Sequence, residues 1–127
     1  MKYWLPVLLW MGVIFVFSAQ PSLPSLPFAT ADTILKKAGH CTEYAVLAAL
    51  SARAFSAGRP LRRGDLWSAL LLTLLYAASD EFHQSFVPGR TGRLFDWGID
   101  ALGAGLALLA VSWRNCTQGT LRRTNAQ

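Results

Sequence analysis

The stretch "LWSALLLTLLYAASDEFHQSFVPGRTGRLFDWGIDALGAGLALLAVSW" constrains this chain more than any other. Two apolar runs of helical length enclose Asp80, Glu81, His83, Arg90, Arg93, Asp96 and Asp100 within twenty-one residues. A charge held at the depth of a lipid-spanning helix costs on the order of 2.5–3.5 kcal/mol on insertion scales. A cluster like this must therefore close the ends of helices, pair within a bundle, or line a wet cavity.

Composition decides what surrounds the cluster. The chain has 127 residues, 53% of them hydrophobic and only 15% charged, with five Trp. That charged fraction is well below the roughly 25% of soluble domains, and it points to a membrane protein. At about 20 residues per span, this length suffices for four spanning helices and no separate soluble domain. The net charge of +5 is not that of a nucleic-acid binder. Its arginines flank apolar runs and do not form a basic, aromatic-interleaved surface. Cys41 and Cys116 have no metal-type or CxxC spacing.

Four apolar segments follow along the chain. The first, residues 4–19, is preceded by Lys2 and ends in "FSAQ", which gives it some likeness to a cleavable signal peptide. Phe17 stands where a cut after Ala19 requires a small residue, so a retained helix is expected. Pro21, Pro24 and Pro27 forbid a helix through the next stretch. Thr30 or Asp32 can cap a new helix, with the second span at 38–56. The loop holding Arg53, Arg59, Arg62 and Arg63 around Gly58 and Pro60 leads to a third span at 66–86. Pro88, Gly89 and Gly92 end it. The fourth span covers 96–113, and 114–127 is a polar tail.

The expected fold is thus all-α, one integral membrane domain of four helices. Lys2, Arg53, Arg59, Arg62, Arg63, Arg114, Arg122 and Arg123 fall on one side, against Lys36, Lys37, Arg90 and Arg93 on the other. The positive-inside rule then puts both termini in the cytoplasm of a multi-pass cell-membrane protein. In that topology Asp32, His40, Glu43, Asp80, Glu81, His83, Asp96 and Asp100 share an extracytoplasmic layer with Ser18 and Gln20, while Asp65 is cytoplasmic. Cys41 and Cys116 lie on opposite sides, so no disulfide between them is expected.

Helical spacing sharpens the layer into a pocket. His40, Glu43 and Tyr44 share one face, as do Asp80, His83 and Gln84. Asp96, Asp100, Gly103 and Ala107 share another, whose small residues allow close helix approach. Arg90 and Arg93 suit a forked grip on phosphate or carboxylate. Crowded carboxylates hinder one another's ionisation, so one can serve as an acid. His40 and His83 with these carboxylates also form a donor set for a divalent metal, although no spacing here is a metal signature.

The segment "SDEFHQSFVPGRTGRLFDWGIDALGAGLA" resembles the signature of the VanZ-like membrane proteins. That signature runs D-E-x-x-Q, a "PGR" turn, an Asp, and then an Asp or Asn followed by glycines. "IFVFSAQPS" resembles the family's Ser-x-Gln-Pro ending, and "KKAGHCTEYAVLAAL" its K-x-x-H-x-x-x-Y opening. The pattern falls on Ser18, Gln20, Lys37, His40, Tyr44, Asp80, Glu81, Gln84, Arg90, Asp96 and Asp100. Cys41 and Ala19 depart from it, where the family commonly has Phe and Ser, and neither departure touches an ionisable position. The resemblance implies an envelope membrane protein, in a family named for an accessory of teicoplanin-type glycopeptide resistance.

The expected function is binding of an anionic envelope lipid or a lipid-linked (polyprenyl) cell-wall precursor. In that reading Arg90 and Arg93 hold phosphate, Asp80, Glu81, Asp96, Asp100 and His40 bind polar parts or a metal, and Ser18, Gln20, Glu43, Tyr44 and Gln84 complete the pocket. Two alternatives stand beside it. One is an acid–base or metal-assisted enzyme on such a lipid, using Asp80, Glu81, His83, Asp96 or Asp100. The other is a small transporter or a structural partner in a larger envelope complex.

Overall fold

The proline and glycine breaks divide the chain into four helices, as a computed structural model shows for residues 2–20, 29–87 and 94–124. They are α1 (Leu5–Ser18), α2 (Ala29–Ser56), α3 (Arg63–Gln84) and α4 (Leu94–Thr124). The all-α expectation holds, with shifted bounds. α2 is already helical at Ala29, well before 38, and α4 continues through the polar tail to Thr124. The stretch after 113 keeps helix-compatible residues such as Arg, Gln and Leu, with no proline to stop it.

Among the described residues, no helix is long and apolar enough to cross a membrane. α1 is apolar throughout but has 14 residues, about 21 Å of rise against a hydrocarbon core of about 30 Å. α3 and α4 have the length, but Asp65, Asp80 and Glu81 interrupt one and Asp96 and Asp100 the other. The four helices expected at 4–19, 38–56, 66–86 and 96–113 are thus present, but by length and hydropathy none of the described ones qualifies as the membrane span expected there.

Small residues set how the helices meet. α4 packs most extensively on α2, and both pack on α3, around Ala48, Ala52, Ala69, Ala104 and Leu108. Ala48 and Ala52 lie one helical turn apart, so a flat strip of α2 faces its neighbours. Where α2 crosses α4, a Cβ on Gly103 would collide with the Cys41 carbonyl. The expected close approach on the Gly103 face is thus found, with Cys41 as its partner. A second apolar cluster joins Val7 and Ile14 of α1 to Tyr44, Leu47, Ala54 and Ala77.

Three aromatic side chains pin one helix to the backbone of another. Trp10 donates to the Glu43 carbonyl at 2.9 Å, Tyr76 to the Met11 carbonyl at 2.6 Å, and Trp97 to the Leu74 carbonyl at 3.2 Å. Each buries a large apolar body and finds a partner for its polar tip. The pins place α1 against α2 and α3, and α4 against α3.

The α2–α3 connection turns sharply. Ala57 (φ 50°) and Gly58 (φ 85°) both adopt the left-handed conformation that ends helices. Tyr3 sits so close to Gly58 that a Cβ there would overlap its hydroxyl. α3 then starts with Asp65 in its first turn, accepting from the Arg62 backbone N–H at 2.8 Å. This carboxylate fills a donor that the helix start leaves open and complements the helix dipole.

Candidate functional site

Where residue spacing predicts a pocket, four side chains form a buried polar cluster. Tyr44 of α2 donates to Asp80 Oδ2 of α3 at 2.9 Å, and Gln84 Nε2 donates to the same oxygen at 3.0 Å. Gln84 Nε2 also donates to Ser18 Oγ of α1 at 2.5 Å. Tyr44 is 0% exposed, Ser18 2%, Asp80 4% and Gln84 5%. Burying a carboxylate is costly unless donors surround it, and here both donors to Asp80 are neutral.

Periodicity explains why these residues can meet. Asp80 and Gln84 are one turn apart on α3, in line with buried Ala77 and Thr73. Ser18 closes α1 at its inward face, in line with Ile14. α4 brings Asp100, 1% exposed, to within 3.9 Å of His40 Nδ1. That separation is longer than a hydrogen bond and within the range of an ion pair if the imidazole is protonated. His40 lies one helical turn before Tyr44 on α2, so the α4 carboxylate stands beside the same set. All four helices contribute.

The remaining expected residues are placed as follows. His83 is half-buried and turns toward α1, its ring 4.9 Å from that of Phe15, with Nε2 making no hydrogen bond among the described residues. It does not join Asp80 and Gln84 in their hydrogen bonds, although helical spacing puts it on their side of α3. Glu43 and Glu81 are half-buried, and Gln20 is exposed just past α1. Asp96 belongs to α4, one turn before Asp100. Arg90 and Arg93 lie outside the described residues. No group of three or more His, Cys, Asp and Glu among the described residues is arranged to hold a metal ion.

A profile of the VanZ/LLP1 family matches residues 3–115, nearly the whole chain. The chain belongs to the VanZ/LLP1 family. Comparisons with curated proteins and with solved structures give no match. Within this VanZ/LLP1 chain the recognition pattern divides into two groups. Ser18, Tyr44, Asp80 and Gln84 form one hydrogen-bonded set, with His40 and Asp100 as a facing pair beside it.

Sequence reasoning missed a second polar feature at the other end of the bundle. Arg59 grips Asp65 through both guanidinium nitrogens, at 2.7 Å each, and also donates to the Phe55 carbonyl at 3.2 Å. One side chain thereby ties the end of α2 to the start of α3. The Arg59 hydrogen bonds, and then the Arg62 backbone N–H, hold the Asp65 carboxyl below the usual carboxylate range. The same contact raises the Arg59 guanidinium. The available signal was Asp65 itself, an acid three positions after Arg62 in "RRGD", where a new helix begins.

Proposed function

We propose that this VanZ/LLP1 protein is a multi-pass membrane bundle, both termini cytoplasmic, whose buried polar cluster receives the polar part of an anionic envelope lipid or lipid-linked cell-wall precursor. The carrying observation is an inverted distribution of side chains. Polar groups from all four helices meet inside, while Leu8, Leu9, Leu71, Leu75, Leu102, Leu106 and Leu109 are each at least 60% exposed. A water-exposed monomer rarely carries so continuous an apolar surface.

The hydropathy of the helices does not oppose this reading. An average over a helix counts its inward polar face, which never meets lipid. The outward stripes are what the bilayer would touch. Trp4, Trp67 and Trp113 are exposed near the start of α1, the start of α3 and the far part of α4. They gather at the end that carries Arg53, Arg59, Arg62 and Arg63, which fits an aromatic belt at a cytoplasmic interface. The polar cluster then faces the extracytoplasmic side. There Arg90 and Arg93 would supply the anion-binding forks.

The test uses full-length protein in detergent with a polyprenyl phosphate as probe. Wild type should bind it, and Asp80→Ala and Tyr44→Phe should each weaken binding about tenfold or more. Equal binding by wild type and both variants would refute the cluster as a lipid site. The facing His40 and Asp100 favour a second reading, acid–base chemistry on that lipid. Turnover of the probe that Asp100→Asn abolishes would select it. If the bound lipid is a cell-wall precursor, expression should also shift susceptibility to teicoplanin-type glycopeptides.

A further inference from the structure

The basic end of the bundle holds a second, separate feature. A cleft of about 280 Å³ opens between the last turns of α2, the connection to α3, and the far part of α4. Arg53, Arg59 and Arg114 line it together with Ser56, Leu61 and Asn115. It lies about 20 Å along α4 from Asp100, at 1.5 Å rise per residue. It therefore shares no residue with the polar cluster.

The three arginines are not equivalent. Arg59 is committed to Asp65, which neutralises it and fixes its position. Arg53 and Arg114 are exposed, and neither has an acidic partner among the described residues. The cleft thus presents two uncommitted guanidinium groups beside a third that is held rigid. Asn115 donates weakly to the Leu61 carbonyl at 3.4 Å, linking α4 to the connection beside the cleft. A phosphate monoester carries about −1.5 to −2 charges and accepts forked guanidinium bonds. Two arginines lining one small cleft, neither with an acidic partner among the described residues, match it in charge and in hydrogen-bonding capacity.

We propose that this cleft binds a phosphate group, carried either by a membrane lipid headgroup or by a soluble phosphate compound. The site stands on the cleft and its arginines, independently of what the buried cluster on the opposite end receives. Two arms separate the sources. Inorganic phosphate and pyrophosphate are titrated into detergent-solubilised full-length protein, and phosphatidic acid is offered in phosphatidylcholine nanodiscs. Saturable binding in the first arm assigns a soluble ligand, and binding in the second arm alone assigns a headgroup.

In whichever arm binds, Arg53→Gln and Arg114→Gln should each weaken affinity at least tenfold. Arg63→Gln removes the same charge from the same end outside the cleft lining and should change it less than twofold. Arg53→Lys keeps the charge but loses the fork, and should fall between. All four variants should melt within a few degrees of wild type, because none loses a protein partner that holds the fold. No binding in either arm overturns the proposal. So does an Arg63→Gln loss equal to that of the cleft arginines, which would mean diffuse surface charge.

Discussion

The two ends of the bundle treat a carboxylate in opposite ways. At one end Asp80 is 4% exposed and takes its hydrogen bonds from a phenol and an amide. At the other, Asp65 receives a forked arginine that is itself 40% exposed. The first arrangement relies on donors preset by helix packing. The second brings its own countercharge and tolerates water. A buried carboxylate whose donors are neutral has no countercharge of its own, which makes that end the better candidate for receiving a polar ligand. A carboxylate already neutralised by arginine is better suited to joining two helices. The difference separates a candidate site from a structural clasp.

The largest expected effect probes how tightly the buried end is built. Gly103→Leu would drive a side chain into the Cys41 carbonyl and push α2 from α4. Overpacking of this kind costs about 3 kcal/mol. Gly105→Leu is the control on the same helix, since a Cβ there meets nothing within 4 Å. Melting of the two variants in one detergent should differ clearly, and equal values would mean that the crossing is looser than the fold describes.

A pair of double-mutant cycles then compares the two carboxylates directly. Tyr44→Phe with Asp80→Asn should give a coupling of about 2 kcal/mol, typical of a buried hydrogen bond to a charged group. Arg59→Gln with Asp65→Asn should give a smaller coupling that shrinks further in salt, because the arginine is partly solvated. The comparison breaks if the pair with the partly solvated arginine couples more strongly than the fully buried one.

The pH response sharpens it further. The Asp65 carboxyl is held below its ordinary range by Arg59, so the folded state binds this proton less readily than the unfolded chain. Its stabilisation is complete above about pH 4, the ordinary carboxylate range. It is lost as the pH falls below that, through the lowered folded-state value. Acid melting of wild type against Asp65→Asn should therefore converge at low pH and separate near neutrality. A gap that stayed constant across that window would contradict the assignment.

The smallest effect lies in the connection between the helices. Ala57 adopts φ 50°, a conformation that costs an L-residue roughly 1 kcal/mol more than glycine. Ala57→Gly should raise the melting temperature by a few degrees. Gly58→Ala should lower it, because the added methyl meets the Tyr3 hydroxyl at positive φ.

Much of this was legible in the residues themselves. Prolines at 21, 24 and 27 and the glycine-rich breaks at 58 and 89 mark where helices must end. The i, i+3, i+4 spacing of His40, Glu43 and Tyr44, and of Asp80, His83 and Gln84, places each group on one side of its helix. It could not say how far each side chain turns inward. His83 follows Phe15 while Asp80 and Gln84 face the interior, a rotation of less than one turn that only packing sets. Nor did the arginine-rich connection disclose that the Arg59 side chain grips Asp65, with Arg53 and Arg114 lining the same cleft.

The sequence by itself determined four helices, their polar faces and the membership of the VanZ-like pattern, because helix periodicity and chain breaks are local properties. Tertiary structure decided that Tyr44 and Gln84 share one oxygen of Asp80, that His40 faces Asp100, and that Gly103 lets α2 and α4 meet at Cys41. Those choices depend on the distance and rotation between helices. These are set by how small residues interdigitate across an interface, and no window along a single helix contains that information.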